Sequence, residues 1–230
     1  MENLVSYMPV LLKGTLVTIE LSILSLLLAV TLGLLGAWGK LSSSRLGKLI
    51  ASTYTTLIRG IPDLVLMLLL YFGGQTLLNE IGEATGWWGY VEINQFSAGV
   101  LTIGVIFGAY MTETFRGAFL AVSPGQIEAG IAYGMRKSQL FCRILWPQVM
   151  RYALPGLGNN WLVLLKTTAL VSVIGLQDVV YLANTAGRTT QEPFTFFAAV
   201  LSIYLILSSI SDVGLRWLDN KYHVGTRGIL

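Results

Sequence analysis

The amino-acid sequence predicts an all-α membrane protein in which five helices cross a bilayer within a single domain, residues 1–230. Hydrophobic residues make up 54% of the chain and charged residues only 12%, with a mean hydropathy of +0.67. Soluble domains carry about 25% charged residues, so this chain has too little polar surface to face water on all sides. The basic residues lie beside apolar runs, so the sequence pI of about 9.0 indicates membrane topology and not a nucleic-acid-binding surface.

Five segments are apolar enough to span a bilayer, which requires roughly 20 mostly apolar residues. We predict spans at Leu11–Trp38, Leu49–Leu78, Phe96–Val122, Leu154–Ala183 and Phe194–Trp217. The second and fourth segments contain proline, glycine and charged residues. Residues 1–9 lack the basic region of a signal peptide, so the first helix is predicted to be retained.

The charges of the polar loops alternate along the chain. The first loop is basic (Lys40, Arg45, Lys48), and the second holds only acids, among them Glu83 and Glu92. The third loop and the tail are basic again. Because basic loops stay in the cytoplasm, we predict that the amino terminus lies outside and the carboxyl terminus lies in the cytoplasm.

The first helix carries one acidic residue, Glu20, about ten residues into the predicted span. A charge near the bilayer centre costs about 2.5–3.5 kcal/mol, and Lys13 lies seven residues away, too far along the helix to pair with it. Three interpretations stay open: a base on another helix, contact with a cationic substrate, or no specific role. The same helix has a stripe of small residues, which predicts close packing against another helix or a second subunit.

The second and third helices contain charged residues at spacings that allow contact. Arg59 and Asp63 flank Pro62 and are predicted to clamp the end of a helix. Glu113 and Arg116 are three residues apart on one helical face and are predicted to form a structural ion pair.

The polar segment 123–151 follows the third helix. Ser123-Pro124-Gly125-Gln126 is typical of a helix start, and Gly134 suits a left-handed helix end. A second short helix is predicted from about Lys137 to Trp146. Two short helices joined at a glycine would form a rigid cytoplasmic unit. An amphipathic loop bound to lipid headgroups is the alternative.

The fourth helix is the most polar of the five, which is typical of a translocation pathway. Thr168, Ser172 and Asp178 are predicted to share one face, and Asn159 lies above Lys166 on another. Hydrogen bonding of these residues to neighbouring helices is the alternative for each of them singly. With Glu20, these five residues form the predicted substrate pathway.

The spacing of the 123–151 segment resembles the EAA loop of ABC-importer permeases. Gly130 and Trp146 depart from that pattern, because the family has alanine and leucine there. The resemblance implies that this cytoplasmic loop couples transport to an ATPase through seven residues: Glu128, Ala129, Gly130, Gly134, Phe141, Ile144 and Pro147.

The resemblance extends along the full chain. The segments Arg59-Gly60-Ile61-Pro62, Gly108–Phe119 and Arg151–Trp161 are similar to polar amino-acid permeases, and most similar to the Q-type permease of histidine and lysine/arginine/ornithine importers. It implies the type I ABC importer fold, a place in the bacterial inner membrane, and import of arginine, ornithine, lysine or histidine. Other polar amino acids, of the glutamine and glutamate class, are the alternative.

The resemblance also implies three kinds of protein partner. They are a second related permease, with a heterodimer favoured, a cytoplasmic ATPase dimer and a periplasmic amino-acid-binding protein. ATP and magnesium are expected in the ATPase and no cofactor in this chain, which has no phosphate-binding glycine loop. No catalytic residues are apparent, and the one histidine, His223, cannot form a metal site alone. A stand-alone secondary transporter, or a membrane-embedded enzyme or scaffold, are the other function classes considered.

Overall fold

A computed structural model describes residues 2–222 and is helical almost throughout that range. His223 lies outside the described residues. Five stretches are long and apolar enough to cross a membrane, which confirms the predicted number. The helices are α1 (Glu2–Leu41), α2 (Arg45–Gly60), α3 (Asp63–Thr85), α4 (Gln95–Ala121), α5 (Pro124–Ala132), α6 (Lys137–Ile174), α7 (Val179–Thr190) and α8 (Pro193–Tyr222).

The centre of the bundle is the seam between α1 and α4. The α4 helix is the most buried of the five spans, and its glycines let α1 approach closely. A Cβ atom on Gly108 would lie 2.8 Å from Leu32 Cβ, and one on Gly33 would lie 2.6 Å from Met111 Cβ. The small-residue stripe of α1 therefore packs within this chain, as the bundle-packing interpretation predicted, and is not available to a second subunit.

The second predicted span is divided into two helices. The α2 helix ends at Gly60, Ile61 is extended (φ −113°, ψ 139°), and α3 begins at Asp63. The cause is Pro62, which has no amide hydrogen and disfavours helical geometry in the residue before it. The predicted range Leu49–Leu78 therefore missed both the break and the true ends.

The fourth predicted span is also interrupted. The α6 helix begins at Lys137, narrows to a 3-10 helix over Thr168–Ile174 and stops at Gly175, where φ is +84°. A separate helix, α7, then begins at Val179. The predicted continuous span Leu154–Ala183 is wrong, because the left-handed glycine ends the helix.

The helix break after Gly175 lies deep in the bundle. The Cβ position of Gly99 is 3.1 Å from both Leu21 and Val171, so the 3-10 helix of α6 is level with the middle of α1. The first turns of α3 contact the same 3-10 helix. Both interrupted spans therefore meet at mid-level, a position where membrane transporters place binding sites.

Candidate functional site

The 123–151 loop contains one separate helix and the start of α6. As predicted, α5 is followed by a left-handed Gly134 (φ +74°). The predicted second short helix does not end before Pro147. It runs directly into the membrane span. Pro147 has no amide hydrogen to donate to the preceding turn, and a π turn over Phe141–Leu145 accommodates this loss. The helix starts where predicted, at Pro124, and Ser123 forms no side-chain cap to it.

The loop presents one exposed surface and one packed surface. Glu128 and Ala129 are exposed, and sequence reasoning missed their neighbours Ile131 and Tyr133, which are 61% and 88% exposed. Large apolar side chains this accessible are typical of a docking surface. The signal in the sequence was their apolar character within an otherwise polar segment.

The packed surface of the loop holds α5 on the beginning of α6. A Cβ atom on Gly130 would touch Leu140 and would lie 3.0 Å from Ile144 Cδ1. An alanine at this position would therefore require the side chains of Leu140 and Ile144 to shift. Phe141 stacks on Trp146 with ring centroids 5.8 Å apart, and Pro147 remains exposed.

The predicted Glu113–Arg116 ion pair is present, with Arg116 Nε 2.8 Å from Glu113 Oε2. Lys40 forms a second ion pair to the same carboxylate and donates a hydrogen bond to Thr55 Oγ1 at 2.6 Å. Lys40 was expected in a loop, but α1 continues to Leu41 and carries it into the bundle. This cluster ties α1, α2 and α4 together.

The predicted Arg59–Asp63 clamp needs correction. Within residues 2–222 no ion pair joins these side chains, because the extended Ile61 separates the two helices. Arg59 instead lies over the ring of Tyr110, 5.2 Å from its centroid. Asp63 is half-buried at the start of α3 and has no hydrogen-bond or ion-pair partner in the described part of the chain.

The six predicted pathway residues do not lie together. Asn159 and Lys166 are exposed on the outer side of α6. Asn159 lines a groove of about 440 Å³ between α6 and α8, which we call the α6–α8 groove. Sequence reasoning missed Asp212 and Arg216 on its other wall, which form an ion pair at 2.7 Å. Their four-residue spacing on the last helix was the available signal.

The other polar residues of this region turn inward. Thr168 is buried, donates to the carbonyl oxygen of Leu165 at 2.7 Å and lies 3.3 Å from the Tyr204 hydroxyl. Ser172 lines a cavity of about 240 Å³ with Tyr181 and Asn184.

Asp178 is fully buried and caps α7. Its Oδ1 atom accepts from the amide of Tyr181 at 2.8 Å. The Oδ2 atom has no partner within the described chain. The predicted common face of Thr168, Ser172 and Asp178 is therefore wrong, since the helix ends between the second and third of these residues.

Glu20 is exposed on α1, where its neighbours Leu16, Ile23 and Leu24 are also exposed. No base of residues 3–222 pairs with it. The predicted ion pair between Glu20 and a base on another helix is therefore absent from the described residues. The carboxylate needs a group from outside the chain, or water.

Comparison with known proteins gives consistent results. The family described as binding-protein-dependent transport system inner membrane component matches residues 29–224. The chain is 54% identical to the histidine/lysine/arginine/ornithine transport system permease protein HisQ of Escherichia coli (strain K12) over 95% of each chain. It is 39% identical to the arginine ABC transporter permease protein ArtQ of Haemophilus influenzae, with 97% of this chain and 98% of that one covered.

A solved structure agrees with these relatives. The crystal structure of an amino acid ABC transporter with histidines matches 95% of this chain and 96% of its own, with 32% identity and a TM-score of 0.80. These matches support neither a stand-alone secondary transporter nor a membrane-embedded enzyme. The chain belongs to the family of binding-protein-dependent transport system inner-membrane components, as the permease subunit of an ABC importer that works with a separate ATPase and a binding protein.

Proposed function

We propose that this permease translocates basic L-amino acids, namely arginine, ornithine, lysine or histidine, from a periplasmic binding protein into the cytoplasm. The proposal rests on three charged side chains in the helices long enough to span the membrane, none of which has an ion-pair partner in the described chain. Glu20, Asp63 and Lys166 have no ion pair within the described residues. Relatives named for the same amino acids support this substrate class.

The chemistry of these charges fits the substrate. The substrate carries an α-carboxylate, an α-amino group and a cationic side chain. Asp63 or Glu20 can receive either cationic group, and Lys166, which lies apart from them on the outer side of α6, offers a separate positive charge to the carboxylate. Each charge at the bilayer centre costs about 2.5–3.5 kcal/mol unless it is satisfied, so a transient ionic partner or a wet pathway is required. Ser172 supplies polar surface in the cavity beside the break in α6, whereas Thr168 and Asp178 are buried.

In this proposal, the 123–151 loop couples ATP hydrolysis in the partner ATPase to transport through this chain. The ATPase dimer, with its ATP and magnesium, docks on the exposed surface around Glu128 and Tyr133, while the close packing of Gly130 on Ile144 holds α5 against α6. Force on α5 then reaches the α6 span directly, because α6 continues without a break from Lys137 to Ile174. The π turn over Phe141–Leu145 lies between the contact with α5 and the membrane span.

A second related permease completes the pathway, and the similarity to Q-type permeases favours a heterodimer. The α6–α8 groove is the face we assign to this partner, because charged residues such as Asp212 cannot face lipid cheaply. In the orientation that we propose, Arg45 lies in the cytoplasm and Glu83 outside. Cysteine at position 45 should be labelled only from the cytoplasmic side of spheroplasts, and labelling from outside would overturn this topology.

The test of the substrate class uses the complete importer in vesicles with its binding protein. We expect Asp63→Asn and Glu20→Gln each to lower arginine uptake at least fivefold, while basal ATP hydrolysis and assembly persist. Glu80→Gln removes an exposed carboxylate near the end of α3 that has no ion pair within the described residues; it is the control and should leave uptake unchanged. Wild-type uptake of glutamine without arginine would contradict the proposal and identify the alternative class of polar substrates.

A further inference from the structure

The segment that joins α3 to α4, residues 86–94, is the longest non-helical stretch of the described chain, and we call it the outer loop. In the orientation that we propose, it lies outside the membrane, where the other described turn is only the two residues 191–192. The soluble binding protein with which this family works must approach the permease from that side. The inference that follows therefore rests on the proposed function and its orientation.

Side chains of α3 fix the backbone of the outer loop. Gln75 and Asn79 lie about one helical turn apart, and the amide group of each bonds twice to the loop. Asn79 Oδ1 accepts from the amide of Val91 at 2.8 Å, and its Nδ2 donates to the carbonyl oxygen of that residue at 3.1 Å. Gln75 Oε1 accepts from the amide of Ile93 at 2.6 Å, and Gln75 Nε2 donates to Val91. The loop therefore has a defined shape before any partner binds.

The outer loop presents two aromatic rings that the described chain leaves uncovered. Trp88 is packed, because its Nε1 donates to the carbonyl oxygen of Leu78 at 3.1 Å and the Cβ position of Gly82 is 2.6 Å from its Cδ1. Trp87 contacts this fixed ring, with centroids 6.3 Å apart, but is itself 80% exposed. Tyr90 is also 80% exposed. Both exposed rings thus stand on a backbone that is held in place.

The region around these rings is acidic. Glu83 and Glu92 lie within four residues of them in the sequence, are exposed and form no ion pair within residues 2–222. No lysine or arginine occurs between Arg59 and Arg116. Such a surface repels anionic headgroups and attracts a basic protein surface. A fixed loop also favours a partner of defined shape over a fluid bilayer, because preorganisation lowers the entropy cost of association.

We propose that the outer loop is the docking surface for the binding protein. The partner contacts it through apolar pockets that receive the rings of Trp87 and Tyr90, with basic residues around those pockets. Exposed aromatic residues on a rigid backbone are the type of side chain that dominates binding at protein interfaces. The carboxylates of Glu83 and Glu92 select a positively charged partner and speed its approach.

The aromatic test measures the Kd of the purified binding protein for the assembled importer in nanodiscs. Trp87→Ala and Tyr90→Ala should each raise the Kd at least about tenfold, as truncation of a central interface residue does. Trp38→Ala removes a ring that is 74% exposed at the opposite end of the bundle, and this matched control should leave the Kd unchanged. Wild-type Kd values in both loop variants would overturn the proposal.

The charge test distinguishes a basic partner from the bilayer. Glu83→Gln/Glu92→Gln should weaken binding at low salt and flatten its dependence on ionic strength. Quenching of Trp87 fluorescence by brominated lipids, together with normal binding by the aromatic variants, would identify the bilayer as the occupant and overturn the proposal. Substrate uptake is a separate measurement. An importer that docks through this loop but transports glutamine and not arginine would contradict the proposed substrate class and support the docking surface.

Discussion

The α1–α4 seam and the α6–α8 groove are built in opposite ways. In the seam, glycines bring helices into direct contact, and the one acidic residue, Glu113, is paired with two bases. Along the groove, space of about 440 Å³ stays open and the Asp212–Arg216 pair is largely exposed. The chain therefore has a rigid side that determines the fold and an open side whose polar groups remain accessible even where they are paired.

This contrast indicates which side of the chain can form new contacts with a substrate or a second subunit. A polar side chain that is paired inside the bundle cannot contact a substrate or a second subunit, whereas an accessible one can form new contacts with either. The seam should therefore respond to mutation through stability, and the groove and the 123–151 loop should respond through transport. Each prediction below tests that division.

The largest effect is expected from filling the seam. A side chain at Gly36 would overlap Thr112 on α4, and overpacking of a tight core costs about 1–3 kcal/mol or more. Gly36→Leu should therefore abolish stable accumulation or lower the Tm of the purified importer by many degrees. Gly214→Leu makes the same change on α8 in open space and should leave the Tm within a few degrees. Comparable losses in both variants would refute the contrast between the two sides.

The second-largest effect is expected in the 123–151 loop, where a substitution should impair transport but preserve membrane insertion. Gly134 has φ +74°, a conformation that costs a β-branched residue about 1–3 kcal/mol, although no atom crowds its Cβ position. Gly134→Val should keep membrane insertion and abolish substrate-stimulated ATP hydrolysis. Gly125→Val, in the helical first turn of the same loop, is the control and should retain most of that activity. Normal transport by the Gly134 variant would mean that this loop is not the coupling element.

The sequence predicted the features that depend on local pattern. Apolar runs predicted five spans, and Gly134 was predicted to be left-handed because a glycine after a short amphipathic run is a strong local signal. Helix ends near Pro62 and Gly175 were missed, since apolar character continues across both breaks. Sequence alone also could not show that Lys40 reaches Glu113, a contact between residues 73 positions apart.

The candidate site was less predictable because it depends on which side of a helix faces outward. Asn159 and Thr168 belong to the same helix, yet one lies in a groove and the other is buried beside Tyr204. Helical periodicity identifies shared faces but not the direction each face points. That direction follows from packing with α1, α4 and α8, which involves long-range contacts.

The smallest effect on stability, and the sharpest test of the comparison, comes from neutralising one acid on each side. Glu113→Gln leaves Lys40 and Arg116 without their anion in a partly buried cluster, so we expect a loss of about 1–2 kcal/mol, between the values for exposed and buried pairs. Asp212→Asn breaks an exposed pair, worth about 0–1 kcal/mol. Thermal unfolding of the detergent-purified importer measures both losses, and arginine uptake per folded complex measures function. Uptake should persist in the Glu113 variant and fall in the Asp212 variant, because only Asp212 lies on the face that the proposal assigns to the second permease. The opposite pattern, with stability lost at Asp212 and uptake lost at Glu113, would move the functional side of the molecule to the seam.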